Sequence, residues 1–366
     1  MLNKKKILLI GPLSPPITGC SMVNDLVYKR LAVRNDVEID VINRAFPFFN
    51  ERIGYFSFRK AIFYIRQYFR INKIISNDVI YIAIGLTFFG VIKDLPFFIV
   101  AKIWNKEVIV HVHGNYLYKQ YDILKGFKRR LFHYVLSIMD KGIVSSKVLI
   151  HNLTPFIDKK NIFCMHYFVE DFLLKEVKKK DIQNNEKIKI LYLSNLMKEK
   201  GIIDFLVSLK LMDKEFIDYE VKIIGGVDNE NKNEIFNLID SNPKISYSPP
   251  VRGEDKKKAY LWANTFVLPT YYSMEGEPIS LLEAMATGNI IVTTDHAAIS
   301  DICGVNTGFI VRKNSPEDIK EKLIFISKNI NNLQSMMDYN YEYARKKYTT
   351  DIFIKNLINV FYEERK

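Results

Sequence analysis

The feature that most constrains this chain is a recurrence: short apolar runs keep alternating with helix-length segments. Lys6 to Ile10 reads as a short buried strand, breaking into a Pro- and Gly-rich loop, Gly11 to Gly19, and then a helix from Ser21 to Arg34. Further strands are expected at Asp36 to Ile42, Val79 to Ile84, Glu107 to Val112 and Gly142 to Ser146, with helical segments between them. Strands that are apolar throughout need cover on both faces, and helical crossovers supply it. The expected class is α/β with a parallel sheet.

The pattern then restarts. The charged tract within Asp171 to Glu186 reads as a linker, and Lys187 to Leu193 opens a second series. Its further strands are expected at Glu220 to Gly225, Phe266 to Pro269 and Asn289 to Thr293. The segment from Met336 to Lys366 is helical in pattern. A chain of 366 residues has room for two domains. The expectation is two Rossmann-like, doubly wound halves facing across a cleft: residues 1–170, a linker at 171–186, and residues 187–345.

Composition narrows the class. With 48% hydrophobic and 26% charged residues, a wholly disordered chain is excluded. Cys20, Cys164 and Cys303 have no ligand-like spacing, which argues against a disulfide scaffold or a cysteine zinc site and fits a reducing compartment. The apolar stretch Val79 to Ile92 falls short of the roughly 18 residues that span a bilayer, and Ile7 to Ile10 is too short for a secretory signal. Positive charge is concentrated in the first half. Residues 1–160 hold 25 Lys and Arg against 11 Asp and Glu, and the remainder holds 28 against 30. Such asymmetry suits a surface meeting a polyanion, with a merely lysine-rich composition as the plainer reading.

Three stretches carry candidate chemistry. Pro269 to Gly288 (PTYYSMEGEPISLLEAMATG) reads as strand end, loop, and a helix starting near Pro278 and stopping at Gly288. It sets Glu275 at the carboxyl end of a strand and aims the free amides of about Gly276 to Ser280 into the same crevice, where α/β sheets bind ligands. Glu283, between Leu281-Leu282 and Ala284-Met285, is a carboxylate in an apolar segment and needs a partner; an exposed helix face is the alternative. Leu193 to Gly201 places Lys198 and Lys200 in a strand-to-helix loop suited to phosphate, although its glycine spacing is not that of a Walker motif. Val108 to Gly114 puts His111 and His113 on one strand face, with His113 at the carboxyl end.

Taken in order, these stretches resemble the retaining GT-B glycosyltransferases of family 4 (glycosyl transferases group 1), of the bacterial surface-polysaccharide type. Glu275 and Glu283 match the family's Glu-x7-Glu signature, and Lys200-Gly201 its phosphate loop. Gly225-Gly226, Val251 to Asp255, Ala259-Tyr260, Ala263 to Thr270, Gly288 to His296 and Asn306 to Val311 complete the family's order across the second half. The resemblance implies the GT-B fold, with the donor against the second domain, the acceptor in the first, and the helix of about 346–366 packed back on the first. It implies that Lys200 neutralises a donor diphosphate. Glu275 would accept from the transferred sugar and Glu283 from the ribose. The backbone of Gly276, Glu277, Pro278, Ile279 and Ser280 would hold sugar hydroxyls and phosphates. Gly19, in the first loop, would let the backbone approach the donor, and His113 would face the reacting sugar.

Two positions depart from the family pattern. Asn195 stands where relatives carry a second diphosphate cation, for which Lys198 is the substitute, and Glu277 stands where many carry an apolar residue. The resemblance further implies sugar transfer with retention from a nucleotide diphosphate sugar, UDP-sugar over GDP-sugar, to a lipid-linked saccharide in O-antigen or capsule assembly.

No metal or other cofactor is expected. The alternating Asp36, Glu38 and Asp40 read as an exposed strand face rather than a metal motif, and the histidines show no metal-type helical pair. Residues 51–73 interleave Tyr55, Phe56, Phe58, Phe63, Tyr64, Tyr68 and Phe69 with Arg52, Arg59, Lys60, Arg66, Arg70 and Lys73, and residues 125–132 repeat the theme. This suits an anionic membrane surface, with a core helix under a cationic rim as the competing reading. Nucleic acid is not expected as a partner, since no recognised module is present. The localisation that follows is cytoplasmic, peripheral to the inner face of the plasma membrane. The rivals are a non-catalytic nucleotide-sugar-binding scaffold, a sugar-nucleotide epimerase, and a nicotinamide dehydrogenase, which the absent Gly-x-Gly-x-x-Gly loop disfavours.

Overall fold

The computed structural model describes residues 4–46, 58–182, 187–227 and 229–363. The chain divides into two compact units, Met1–Tyr167 with Phe353–Lys366, and Phe168–Ile352. Each is built on a six-stranded, all-parallel sheet.

The first sheet contains β1 (Lys5–Gly11), β2 (Val37–Asn43), β3 (Val79–Ile84), β4 (Glu107–Val112), β5 (Lys141–Val144) and β6 (Ile162–Cys164), in the order β2-β1-β3-β4-β5-β6. The second contains β7 (Ile188–Leu193), β8 (Tyr219–Ile224), β9 (Ile245–Ser248), β10 (Thr265–Leu268), β11 (Ile290–Thr294) and β12 (Gly308–Val311), in the order β12-β11-β10-β7-β8-β9. β4, β10 and β11 are buried along their whole length, which is why their sequences lack the apolar–polar alternation of a half-exposed strand. In both sheets the chain runs outward from its first strand, then returns to the other side. That reversal opens a crevice between β1 and β3 in one unit and between β7 and β10 in the other.

Three edge strands escape sequence reading, among them β12 (GFIV), which is buried only at Val311. β6 has only three residues, and β9 (ISYS) is polar at alternate positions with no residue fully buried. The tract expected to be a linker is not a solvated spacer over its described part. Lys180 Nζ donates to Tyr260 O and Asn289 Oδ1, both at 2.8 Å, and to Ala263 O. Tyr341 OH donates to Val177 O, and Gln334 Nε2 to Lys180 O. The polar character of the tract reflects hydrogen bonds that strap it to the second unit; residues 183–186 lie outside the described residues. The helical terminal segment is two helices, Gln334–Lys347 and Thr350–Tyr362, broken at Tyr348 and Thr349. Residues 364–366 of it lie outside the described residues.

From Phe353 the last helix belongs with the first unit. Phe361 meets Tyr81 edge to face at 5.5 Å, and Tyr362 OH donates to Asp36 O at 3.0 Å. Lys141 Nζ, buried at the start of β5, pairs with Glu107 at 2.7 Å and donates to Val360 O at 2.8 Å. Among the described residues, no helix is long and apolar enough to cross a membrane.

Removing one partner of a buried ion pair strands the other charge. Lys141→Met is therefore expected to lower unfolding free energy by about 3 kcal/mol, read from the urea midpoint, and to loosen the terminal helix first.

Candidate functional site

In the second unit, β7 leads through a tight turn, Lys198–Lys200, into the helix Ile202–Asp213. Gly201 makes the junction with φ of 78°, and a Cβ there would sit 2.4 Å from Pro269 O. Only glycine combines the left-handed backbone with so close an approach, so this residue brings the lysine loop against the end of β10. The two loops are then laced together. Tyr271 N donates to Glu199 O at 2.8 Å, and Tyr192 OH to Lys200 O at 3.1 Å.

The lacing joins two charges that are 75 positions apart in sequence. Lys200 Nζ donates to Glu275 Oε2 at 2.5 Å, and Thr270 Oγ1 donates to the same oxygen at 3.0 Å. The Lys200 ammonium also lies 5.2 Å from the centre of the Tyr272 ring. Both side chains are largely withdrawn from solvent, at 14% and 8% exposure. They flank the β7/β10 crevice, the position expected for a ligand in an open α/β sheet.

Pro278 caps the helix Ile279–Ala286 rather than forming its first turn. Gly276, Glu277 and Pro278 are buried, and Ile279 and Ser280 are half-buried at the first turn. Glu277 lies close enough to Tyr348 to help burial push that phenol up. Glu283 does have the partners its apolar setting demands. Its Oε1 accepts from Lys256 Nζ at 2.5 Å and its Oε2 from Tyr260 OH at 2.9 Å. Burial raises the Glu283 pKa, and Lys256 opposes the rise. Burial also works against the Lys256 ammonium, but Glu283 and Glu170 overcome it and hold its pKa above the ordinary lysine value. Asn195 and Lys198 are exposed. Lys198 faces Asp204, whose carboxyl is raised by burial and lowered by that lysine.

Sequence reading missed Thr270 and Tyr272, which lie in a stretch it singled out, and His296 and Lys313, which follow β11 and β12. Strand-end position was the available signal for the last two. Lys256 and Tyr260 were missed because a partner across helices leaves no local pattern.

In the first unit, His113 shares a 2.7 Å hydrogen bond between Nδ1 and the Tyr167 hydroxyl. His111 pairs through Nδ1 with Tyr81 OH at 2.5 Å, and the two imidazoles lie 4.1 Å apart. Burial pushes His113 down to about 3, so it is neutral at physiological pH. The Nε2 atoms of both rings are buried without a hydrogen-bond partner among the described residues. Gly19 opens the helix Gly19–Ala32, is exposed, and has no atom within 4 Å of where a Cβ would stand. Packing therefore does not require glycine there. A separate cavity of about 560 Å³, lined in part by Lys5, Asp78, Trp104, Glu107 and Tyr362, lies at the amino ends of β1, β3 and β4, away from the strand ends where ligands bind. Among the described residues no cluster of three or more His, Cys, Asp or Glu is placed to hold a metal ion.

Residues 175–346 match the model of the family described as Glycosyl transferases group 1. The chain is 26% identical over 293 residues to an uncharacterized glycosyltransferase of Methanocaldococcus jannaschii, covering 75% of this chain and 72% of that one. It is 29% identical over 142 residues to the capsular polysaccharide biosynthesis glycosyltransferase CapM of Staphylococcus aureus, covering 38% of this chain and 36% of CapM. The crystal structure of Anabaena HepE in complex with UDP matches with a TM-score of 0.72 at 10% identity, over 98% of this chain and 99% of that one. That likeness is one of fold, and the fold is GT-B. The chain is a glycosyltransferase.

Gly201→Ala is expected to cost about 2–3 kcal/mol of stability and to separate the lysine loop from the end of β10. A fall in thermal midpoint, with faster amide exchange at Lys198 to Ile202, would register both effects.

Proposed function

We propose that the chain is a retaining glycosyltransferase that moves a sugar from a UDP-sugar to a hydroxyl of a lipid-linked saccharide in cell-surface polysaccharide assembly. The observation that carries this reading is the Lys200–Glu275 pair at the β7/β10 crevice of a group 1 domain. An ammonium has three donors, so Lys200 can keep Glu275 and still meet a diphosphate. The amides at the start of the helix Ile279–Ala286 add oriented donors for phosphate and sugar oxygens. As the sugar–phosphate bond breaks, positive charge develops at the anomeric carbon and negative charge on the leaving phosphate, and a preorganised cation with amides stabilises the latter. Glu275 takes a sugar hydroxyl, Glu283 a ribose hydroxyl, and His113, as a neutral imidazole, a hydroxyl of the reacting sugar. With no side chain assigned as a covalent nucleophile, retention follows from front-face displacement in which the leaving phosphate takes the acceptor's proton. The name of CapM supports the polysaccharide setting and the HepE–UDP complex supports uridine.

The reading includes a peripheral membrane location on the cytoplasmic side. The helix Phe58–Tyr68 and the residue after it present Phe58, Ile62, Ile65 and Phe69 outward, at 79, 53, 55 and 84% exposure, beside exposed Arg59, Arg66 and Arg70. Phe127 is 76% exposed beside exposed Lys125, Lys128 and Arg130. An apolar stripe flanked by cations fits an anionic bilayer surface. Residues 51–57 of the basic-aromatic segment lie outside the described residues.

Calorimetric titration with UDP, GDP and ADP in chelator tests the donor reading. UDP is expected to bind with a Kd on the order of micromolar, weakened about 10- to 100-fold in Lys200→Ala. Silence of all three nucleotides, with and without Mg²⁺ or Mn²⁺, would favour a non-catalytic scaffold instead.

Vesicle flotation tests the surface. Ile62→Ser combined with Phe69→Ser is expected to cut binding to phosphatidylserine-containing vesicles about tenfold while leaving UDP affinity unchanged. Equal flotation of the double variant would remove the membrane assignment of this helix.

A further inference from the structure

Around the Lys200–Glu275 pair, the carbonyl of Tyr272 receives two hydrogen bonds. Glu275 N donates to it at 2.8 Å, which closes the turn that presents the carboxylate, and His296 Nε2 approaches it at 2.8 Å from the loop after β11. The ring of the same tyrosine lies against the Lys200 ammonium. Tyr272 therefore touches both halves of the ion pair, and His296 holds Tyr272.

The imidazole is itself held from behind. Lys313 Nζ, from the loop after β12, lies 3.1 Å from His296 Nδ1. A lysine ammonium can only donate and a carbonyl can only accept, which determines the tautomer. Nδ1 is the bare, accepting nitrogen, and Nε2 carries the proton donated to Tyr272 O. This arrangement requires a neutral ring. The groups facing it favour that form on balance: burial, Lys313 and Lys200 push its pKa down, against the Tyr272 carbonyl and Glu275.

We infer that His296 is a positioning residue of the donor site, held in its Nε2–H tautomer by Lys313 so that it pins the Tyr272 carbonyl and with it the turn carrying Glu275. The inference rests on reading this crevice as the donor site, and it adds a sequential relay: Lys313 to His296, His296 to Tyr272, Tyr272 to the Lys200–Glu275 pair. None of these three residues need touch substrate for the relay to set donor affinity.

The test compares the full chain with His296→Ala, His296→Gln and Lys313→Ala, following amide exchange of the peptide spanning residues 270–276 and UDP affinity by calorimetry. Glutamine can donate an amide N–H to the Tyr272 carbonyl while accepting from Lys313, so it serves as the rescuing variant. In His296→Ala the peptide is expected to exchange about tenfold faster and UDP to bind about tenfold more weakly. His296→Gln is expected to restore both to within about twofold of the wild type, with Lys313→Ala between the two. Unchanged exchange in His296→Ala would overturn the inference, as would a glutamine variant no better than alanine. Faster exchange restored by glutamine, in a protein that binds no UDP in any form, would uphold the positioning role and locate the failure in the donor reading.

Discussion

Taking a lysine and a glutamate largely out of water is costly unless each satisfies the other, and the second unit is organised around one such pair. Lys200 and Glu275 come from loops on either side of the point where strand order reverses, so the topology alone brings their backbones near. Contact then depends on Gly201, whose missing Cβ lets the lysine loop lie against Pro269, and on the hydrogen bond from Tyr271 N to Glu199 O. The consequence is a crevice whose charges are compensated before any ligand arrives. On the proposed donor reading, a diphosphate entering it would meet an ammonium already oriented by a carboxylate and an aromatic face. Less ordering then has to accompany binding.

The two glutamates of the Glu-x7-Glu spacing are held in different ways. Glu275 sits on a turn, with Lys200 and Thr270 on one oxygen. Glu283 is 1% exposed, with one oxygen on Lys256 and the other on Tyr260. Lys256 continues to Glu170 at 2.8 Å, so this carboxylate ties its helix to the helix Gly253–Trp262 and to the segment entering the unit. Each carboxylate oxygen has a second lone-pair direction, so a hydroxyl can still be accepted. Glu283 thus combines a packing role that its substitution would expose with any ligand contact it makes, whereas Glu275 is placed mainly by its loop.

Much of this was legible in the chain because strand periodicity, strand-end loops and glycine positions are local signals. The strands at Val79–Ile84 and Glu107–Val112 coincide with expectation to the residue; the first is a continuous apolar run, and the second is built on the apolar run Val108 to Val110 with Val112. The charged tract read as a linker shows a limit of sequence: a lysine that donates to backbone carbonyls, as Lys180 does, looks in sequence like a lysine in water. Glu283 was correctly expected to need a partner, yet Lys256 could not be named, because contacts between helices obey no spacing rule. His296 was visible only as a histidine after a strand, and its significance comes from facing a carbonyl on one side and an ammonium on the other.

The basic-aromatic segment shows how two competing readings can both describe one helix. Tyr64 and Tyr68 turn inward: Tyr64 lies 4.9 Å from the Arg44 guanidinium, and Tyr68 OH donates to Lys93 O at 2.8 Å. Arg44 pairs with Asp94, both almost fully buried, and burial lowers the Arg44 pKa to about 10. These tyrosines help sheath an ion pair that would otherwise lie against bare apolar walls. Phe58, Ile62, Ile65 and Phe69 occupy a separate stripe at i, i+4, i+7 and i+11 and are all exposed. A helix that needed only to close the core would place polar residues on that stripe. That it carries exposed Phe and Ile side chains, rimmed by arginines among the described residues, is the physical argument for a second, external partner.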